Sequence, residues 1–479
     1  MNYRMIGYLL GIILLIEAAL MCLPMVVALL FGESPLPFLV TIGILAVAAA
    51  LPVILKPKNT RIYAKEGFVV VASAWILMSL FGALPFVFSG AIPNYVDAVF
   101  ETVSGFTTTG SSILTAVEGL PYGILFWRSF THWVGGMGVL VFMLAILPSD
   151  NGHAMHLLRA EVPGPVKDKL VPKMRQTALI LYGIYVVLTL TMIVALLFTK
   201  MSLYDSVVNA LATAGTGGFS VKNASIGAYN NPAAEWVIGI FMIVFGVNFN
   251  IYFLLIMKRF TDIFKNCELR VYLTIVVIAT AAITLNTLSY YATVGTTVRT
   301  AFFQVATIIS TAGFSTVNYD IWPAFSKSIL ILLMLTGACA GSTAGGLKMS
   351  RVMLIFKNIF RSIKQVVQPR SVNVVRQEGE VVPERTLHAT ANYTSIYFIF
   401  IIFATLLISV DGFDLETNLS AVLACINNIG PGFNVVGPMG NFAGFSYFSK
   451  ILLSMTMLAG RLELLPILIL FSPHLWKKN

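Results

Sequence analysis

Four stretches of this 479-residue chain follow one plan, and they decide the fold. They read DAVFETVSGFTTTGSS (97–112), YDSVVNALATAGTGGFS (204–220), VRTAFFQVATIISTAGFS (298–315) and LETNLSAVLACINNIGPGF (415–433). Each begins with an apolar segment far shorter than the roughly 20 residues that a helix needs to cross a bilayer, and each ends in a glycine-containing turn. We therefore expect four half-helices that enter a membrane and turn back, aligned on Gly110, Gly218, Gly313 and Gly432.

The composition around these stretches is that of a membrane protein. Hydrophobic residues make up 57% of the chain, charged residues only 11%, and the mean hydropathy is +0.85. A soluble protein is typically about 45–50% apolar and about 25% charged. This excludes a soluble enzyme, a disordered scaffold and a nucleic-acid-binding domain. The four cysteines are scattered without a CxxC pair, and the five histidines, His132 among them, are too dispersed for a metal site.

Long apolar stretches flank the four half-helices and predict ten membrane spans. Their approximate bounds are 5–31, 36–55, 67–90, 122–148, 177–199, 233–257, 271–292, 326–357, 390–410 and 447–471. The first is too long for the apolar core of a cleaved signal peptide. The spans divide the chain into two N-terminal helices (1–62) and four pore repeats, at 63–155, 156–265, 266–375 and 376–479.

The charges give the orientation of these spans. Most of the 31 Lys and Arg residues fall on one side, in clusters at 4–65, 159–175, 258–270, 348–385 and 477–478. By the positive-inside rule this side, with both termini, is cytoplasmic. The opposite loops carry more acidic than basic residues. That acidic excess either concentrates cations at the outer face or only reflects the exclusion of basic residues from the outer loops. The sequence leaves both interpretations open.

The glycine turns indicate a pore. Irregular backbone at membrane depth survives only where it is buried in protein or lines a watery cavity. Glycine allows successive carbonyls to point the same way, half-helices aim their partly negative C-terminal ends inward, and rings of carbonyls replace the hydration shell of a cation. We therefore predict an all-α polytopic membrane protein. Four span–pore-helix–span repeats surround a pseudo-fourfold pore and follow two additional transmembrane helices.

A second irregular segment, TGACAGSTAGG (336–346), interrupts the span at 326–357. Each glycine destabilises a helix by about 1 kcal/mol relative to alanine. Small residues also serve close helix packing, but the glycine density favours an unwound loop under the turns. Arg461 lies in the last span, where a charge needs a partner. We expect its guanidinium to contact carbonyls of this loop rather than to reach the cytoplasmic surface, and Glu463 to pair elsewhere.

The turns TTTGSS, GTGGFS, STAGFST and NNIGPGFN resemble the Trk/Ktr/HKT superfamily of potassium transporters over essentially the whole chain. The two additional N-terminal spans are similar to the Trk branch, whose membrane subunits are of the TrkH/TrkG type. GRLE (460–463) and GSTAGG (341–346) also fit. The resemblance implies ion-binding positions at Thr108, Thr109, Gly110, Thr216, Gly217, Gly218, Thr311, Ala312, Gly313, Gly430, Pro431 and Gly432. It implies a gate at Gly337, Gly341, Ser342, Thr343, Gly345, Gly346 and Arg461.

The same resemblance implies a bacterial inner-membrane protein, a homodimer with one pore per protomer and a cytosolic ring of nucleotide-binding RCK domains like TrkA. Potassium is then the substrate, no cofactor is held in this chain, and membrane lipids but no nucleic acid are partners. Each turn has one glycine at the equivalent position, unlike the TVGYG loop of potassium channels. We therefore expect looser discrimination between potassium and sodium.

Two transport mechanisms fit these residues. The first is a gated, potassium-selective pore driven by the membrane potential, which supplies about 2.3 kcal/mol per charge per 100 mV. The alternative is a secondary transporter coupled to protons or sodium, for which Glu17 and Glu463 are the candidate titratable groups. An intramembrane enzyme is excluded, because the spans carry no paired Asp and no HExxH motif.

Overall fold

The protein is described by a computed structural model that covers residues 1–57, 59, 63–138, 174–470 and 472–473. Over these residues it is mostly helical, with one two-stranded hairpin in which Arg376–Gln377 pairs antiparallel with Glu380–Val381. The longer helices are Tyr3–Leu20, Cys22–Leu30, Leu36–Ile54, Ala64–Gly82, Met174–Phe198, Cys267–Thr287, Met349–Val367 and Glu384–Ile408. Short helices are Leu84–Phe88, Phe249–Ile256, Phe260–Lys265 and Leu465–Leu470. The predicted all-α class is confirmed.

Six helices among the described residues are long and apolar enough to cross a membrane, by length and composition. The number rises to seven if Pro232–Phe245 and Phe249–Ile256, which meet at 90°, are counted as one span. Fewer helices than the ten predicted spans therefore run unbroken. The missing ones are the spans that follow the four glycine turns: the first lies partly outside the described residues, and the other three are interrupted.

The four half-helices are present and begin alike. We call them pore helices 1 to 4, and they are Tyr95–Phe106, Leu203–Ala214, Val294–Ile309 and Leu415–Ile426. Each starts at a side chain that accepts a backbone N–H of the first turn, and these N-caps are Asn94, Ser202, Thr293 and Asp414. Ser, Thr, Asn and Asp are preferred at this position because their oxygens satisfy donors that have no partner within the helix. Local sequence thus sets where each pore helix starts.

The helix after each turn, here called inner helices 1 to 4, is shorter than its predicted span. These helices are Tyr122–Gly136, Pro232–Phe245, Ala324–Leu335 and Tyr447–Arg461. The rest of the span expected at 122–148 lies largely outside the described residues. The spans expected at 233–257 and 447–471 are broken, at 246–248 and 462–464. The interruption expected in 326–357 is observed, over residues 336–348.

The two N-terminal spans pack on the first repeat. The helix Tyr3–Leu20 crosses Leu36–Ile54 at Gly11, where an added Cβ would come under 3.0 Å of Val53. The carboxylate of Glu33, in the connection between them, accepts the N–H groups of Tyr122 at 2.6 Å and Gly123 at 2.9 Å. An acceptor at this point satisfies free donors at the start of inner helix 1. The pair is therefore fixed to the helix that follows the first turn.

Candidate ion pathway

The four turns share one backbone conformation. Two residues after each pore helix, a non-glycine residue adopts a positive φ, and two residues later a glycine does the same. The non-glycine residues are Thr108, Thr216, Thr311 and Asn428, at φ between 54° and 57°. The glycines are Gly110, Gly218, Gly313 and Gly430, at φ between 78° and 102°. A β-branched residue in the left-handed region is a genuine outlier that costs of order 1–3 kcal/mol. Its recurrence in three turns shows that the surrounding packing imposes it.

The same hydrogen bonds close all four pore helices. The residue after each left-handed residue donates its N–H to a carbonyl five positions back. These bonds are Thr109 to Ser104 (2.8 Å), Gly217 to Ala212 (2.9 Å), Ala312 to Thr307 (2.8 Å) and Ile429 to Ala424 (2.8 Å). They are the long bond of a Schellman cap, which satisfies a terminal helix carbonyl while the chain reverses. The turns are therefore built by backbone geometry and do not need identical side chains.

The turns touch one another in a closed ring. A Cβ atom added to the glycine of each turn would lie under 3.0 Å from a carbonyl oxygen of the next turn, a separation that real Cβ atoms do not show. The pairs are Gly110 with Gly217, Gly218 with Ala312, Gly313 with Ile429, and Gly430 with Thr109. The order runs from turn 1 through turns 2, 3 and 4 and back to turn 1. Only glycine allows the four backbones to approach this closely.

The carbonyls in this ring point to a ligand other than the described chain. Within the described part of the chain, no donor bonds the carbonyl oxygens of Thr109, Gly217, Ala312 or Ile429. Buried backbone carbonyls are nearly always hydrogen-bonded, so four equivalent exceptions in adjoining turns indicate an external partner. Partly negative oxygens in a ring form a ligand set suited to a desolvated cation.

The predicted alignment of the fourth turn on Gly432 is wrong. The backbone places Asn428, Ile429 and Gly430 where Thr108, Thr109 and Gly110 lie in the first turn. Gly432 has no positive φ, its N–H bonds the carbonyl of Val436 at 2.7 Å, and its carbonyl accepts the hydroxyl of Tyr319 at 3.0 Å. The second glycine of NNIGPGF therefore belongs to the segment that follows the turn.

The 336–348 loop lies directly against the turns. The N–H of Gly345 donates to the hydroxyl of Thr311 at 2.8 Å, and a Cβ added to Gly345 would collide with the carbonyl of Asn427. On its other side, the N–H of Ala340 and, just after the loop, that of Ser350 both donate to the carboxylate of Glu268, at 2.8 and 2.9 Å. The loop is thus held between the third and fourth turns and the start of the helix Cys267–Thr287. This is the placement expected of an unwound segment under the ring.

The loop is also bonded to the break below inner helix 2. Cys339 donates its N–H to the carbonyl of Gly246 at 3.1 Å, and Phe249 donates to the carbonyl of Gly341 at 3.0 Å. The hydroxyl of Thr343 reaches the carbonyl of Phe245 at 3.3 Å. These bonds use the backbone groups that the 90° break leaves without helical partners. The broken helix and the loop therefore satisfy each other.

Arg461 connects the loop to the first repeat. Its guanidinium donates to the carbonyl of Thr343 at 2.8 Å and to the carbonyls of Gly135 and Gly136, the latter at 2.9 Å. The expected contact with the loop is observed. The contact with the C-terminal end of inner helix 1 was not expected, although a cation is stabilised by the partly negative end of a helix. One side chain of inner helix 4 thus joins residues of three repeats.

Of two charged residues near the loop, Glu463 and Lys348, one lies where it was expected and the other does not. Glu463 pairs with Arg351, as expected of a residue that points away from the loop. Lys348, predicted to lie among the basic residues of the cytoplasmic surface, is instead 2% exposed and donates to the carbonyl of Ala344. Its position at the end of the loop, rather than on a surface, explains the error: the loop folds back under the turns and takes Lys348 with it.

A buried ion pair that the sequence analysis did not identify lies behind the first turn. Arg128 bonds Glu101 at 2.7 Å, and both side chains are nearly inaccessible. Glu101 also accepts the N–H of Ile113 at 2.9 Å, while Arg128 reaches the carbonyl of Ser220 at 3.1 Å. The pair joins pore helix 1 to the segments that follow the first and second turns. The sequence feature that could have predicted this pair is an acidic residue in a pore helix together with an arginine in a span, because charges within a membrane need partners.

No group of three or more His, Cys, Asp or Glu residues capable of holding a metal ion occurs among the described residues.

Comparison with known proteins assigns this architecture to a family. The family model described as "TrkH: Cation transport protein" matches residues 38–478. The chain is 37% identical over 491 residues to the Trk system potassium uptake protein TrkH of Salmonella typhimurium, with 100% of both chains covered. It is 31% identical over 483 residues to the Trk system potassium uptake protein TrkG of Escherichia coli, with 99% of both chains covered.

A solved structure agrees with the fold. The crystal structure of the potassium transporter TrkH from Vibrio parahaemolyticus superposes with a TM-score of 0.90, covers 100% of both chains and is 30% identical in sequence. The similarity extends over the whole length rather than over one repeat.

Proposed function

This chain belongs to the TrkH family of cation transport proteins and is a multi-pass membrane protein, and we propose that it carries potassium into the cell through the ring of four turns. Relatives over its full length are named potassium uptake proteins. The observation that carries the proposal is the closed ring of carbonyls that accept no hydrogen bond from the described chain. A potassium ion that sheds its water in this ring would gain those oxygens as ligands.

In this proposal the ion ligands are the backbone oxygens of Thr108, Thr109 and Gly110 and of the equivalent residues of the other turns. For the fourth turn these are Asn428, Ile429 and Gly430, not Pro431 and Gly432. The four turns then surround one pseudo-fourfold axis. Because the ligands are main-chain atoms, a ring made from four unlike sequences still presents four alike oxygens to the ion.

The proposed gate is the 336–348 loop together with Arg461. The loop contacts the turns from one side and is fixed by a guanidinium whose bonds to carbonyls are charge-assisted, a type worth about 1.5–3 kcal/mol. A fixed positive charge beside the pathway also repels a cation. Opening would require Arg461 to release Thr343 or the end of inner helix 1, so that the loop can leave the turns.

Family membership also supports a proposal for the driving force and the regulation of this transport. We propose uptake across the inner membrane of a bacterium, with both termini in the cytoplasm and with the membrane potential as the driving force. A homodimer and a cytosolic, nucleotide-binding RCK-type subunit like TrkA are the proposed partners. We propose transport without an enzymatic step and without a cofactor in this chain.

The alternative, coupling to protons or sodium, has one observation in its favour. Glu17 is wholly buried in the first helix, and neither of its carboxylate oxygens has a hydrogen-bond partner among the described residues. An added Cβ at Gly82 would lie 3.0 Å from one of these oxygens and 3.0 Å from Thr102 of pore helix 1. A carboxyl that takes up a proton there could act on the first pore helix.

One reconstitution experiment separates these mechanisms. The purified protein is incorporated into liposomes, and rubidium or potassium flux is measured at a set voltage with and without a pH or sodium gradient. The pore predicts flux that follows voltage alone and single-channel currents when the gate is opened. Uptake that requires a pH or sodium gradient, and that Glu17→Gln abolishes, would establish coupling instead.

A further inference from the structure

The second turn differs from the other three at one position. The residue before the ring glycine is Thr109, Ala312 or Ile429 in turns 1, 3 and 4, but it is Gly217 in turn 2. The space that a side chain would occupy there is filled by another residue. A Cβ added to Gly217 would lie under 3.0 Å from three atoms of the imidazole of His132. The histidine ring therefore replaces a side chain that turn 2 lacks.

His132 is completely buried in inner helix 1, behind the boundary between turns 1 and 2. Its Nδ1 lies 2.8 Å from the carbonyl oxygen of Gly105, in the last turn of pore helix 1. Its Nε2 lies 3.3 Å from the backbone nitrogen of Phe219, which directly follows the ring glycine Gly218. The ring also packs on the phenyl group of Phe219, with centroids 4.2 Å apart.

These two contacts determine the protonation state of the imidazole. A carbonyl requires a donor at Nδ1, and an N–H requires an acceptor at Nε2. Only the neutral imidazole with its proton on Nδ1 provides one of each. The imidazole then links the end of the first pore helix to the segment that follows the second turn. Aromatic contact and two directed bonds leave it little freedom to move.

We propose that His132 is the positioning residue of turn 2, and that it sets the preference for potassium over sodium by holding the Gly217 carbonyl in line with the other three. The inference rests on the proposed function of the ring as the ion site. Turns 1, 3 and 4 carry a side chain on the residue that supplies this carbonyl. Turn 2 has none, so the backbone at Gly217, the most mobile residue type, is confined from outside by the imidazole.

The test is the potassium-to-sodium permeability ratio of the full-length protein in liposomes, measured from reversal potentials. We expect His132→Ala to lower the ratio about tenfold, equivalent to ~1.4 kcal/mol, while total cation flux persists. His132→Gln, which offers one donor and one acceptor, restores most of the ratio. His388→Ala, a change at an exposed histidine, leaves it at the wild-type value.

A compensating pair makes the test specific to this contact. Gly217→Ala alone drives a methyl group into the imidazole and lowers flux. Combined with His132→Ala, the new methyl group fits the vacated space, and the ratio rises above that of His132→Ala. Residues in contact show such non-additivity, whereas independent sites do not.

Three outcomes overturn the proposal: a wild-type ratio for His132→Ala, a ratio for His132→Gln as low as for His132→Ala, or strictly additive effects in the double variant. If His132→Ala does not fold, His132→Ser, which keeps a small polar side chain, takes its place in all three comparisons. A wild-type protein that passes potassium and sodium equally contradicts the proposed potassium function itself, and that result is visible before any variant is compared.

Discussion

The ring of turns and the layer directly beneath it differ in how the four repeats use them. In the ring, four unlike sequences adopt one backbone, with the same left-handed residue, the same capping bond and the same glycine contact. Beneath it, the four inner helices differ. The second bends by 90°, the third gives way to a loop, and the fourth breaks after Arg461. Four turns of the same backbone conformation suit the coordination of a spherical ion. A gate instead needs one segment that can move independently of the rest.

The contacts within the ring also differ from those within the layer beneath it. The ring is joined by backbone contacts that leave no room for a Cβ, so it tolerates variation of side chains but not of its glycines. The lower layer is joined by side chains in addition to backbone bonds, with Arg461, Glu268 and Thr311 each bonded to the 336–348 loop. Substitutions in the ring should therefore affect which ions pass and whether any pass. Substitutions beneath it should affect how often the pathway opens.

The largest expected effect is the loss of transport in Gly218→Ala. The added methyl group collides with the carbonyl of Ala312, and the residue must hold a positive φ. Backbone cannot yield as a side-chain end can, so we expect potassium flux to fall at least about a hundredfold, that is by ~2.7 kcal/mol or more. Rubidium uptake into liposomes measures it.

Gly90→Ala is the matched control for that change. Gly90 also has a positive φ, of 74°, but an added Cβ there meets nothing within 4 Å. It experiences the backbone strain without the collision and should transport at close to the wild-type rate. Equal losses in the two variants would mean that strain, not the ring contact, explains the first result.

Arg461→Ala is expected to raise resting flux about tenfold or more, because it removes charge-assisted bonds that are each worth about 1.5–3 kcal/mol. Arg461→Lys keeps the charge but not the forked geometry, and it should lie between. Flux through protein reconstituted without a cytosolic partner measures this. Arg270→Ala, at an exposed position, is the control. Resting flux that stays at the wild-type level in Arg461→Ala would remove this residue from the gate.

The register of the fourth turn gives the next largest effect. Gly430→Ala places a methyl group 2.7 Å from the carbonyl of Thr109 at a φ of 102°, and we expect the potassium-to-sodium ratio to fall about tenfold. Gly432→Ala meets the hydroxyl of Ser420 at 2.7 Å and should change the ratio by less than about threefold. Reversal potentials of both variants decide between the two registers, and the opposite ranking would restore the alignment on Gly432.

The smallest effect expected is that of Thr311→Val. It removes the hydroxyl that accepts the N–H of Gly345, a bond worth about 0.5–1.5 kcal/mol, so resting flux should rise a few-fold. Thr108→Val is the matched change: the backbone is the same, but the hydroxyl of Thr108 has no hydrogen-bond partner in the described structure. Similar rises in both variants would mean that the bond between ring and loop does not restrain the gate.

The sequence was sufficient for the features that are local. The short apolar segments and the glycine turns predicted four pore helices, and the glycine density of 336–346 predicted the interruption that is observed over 336–348. The position of Arg461 in a span predicted its contact with this loop. In each case the signal lies within a few residues of the structure that it produces, because capping and helix breaking depend on adjacent backbone groups.

The errors lie where the structure depends on distant partners. In NNIGPGF two glycines compete for one register, and the carbonyl of the second, Gly432, is bonded by Tyr319, more than 100 residues away. The 90° bend at 246–248 follows an apolar stretch with a single glycine, and it is stabilised by the loop through Cys339 and Gly341. The role of His132 becomes visible only once Gly217 is seen beside it. The repeat boundaries, the dimer and the cytosolic partner stay predictions.

The central claim is that four main-chain carbonyls, one from each turn, bind the transported ion. Crystals grown with rubidium or thallium in place of potassium test it directly through anomalous scattering. The account predicts a peak between the four turns, within coordination distance of the carbonyl oxygens of Thr109, Gly217, Ala312 and Ile429. A peak coordinated by side chains elsewhere, or four turns separated from one another with no ion among them, would contradict it.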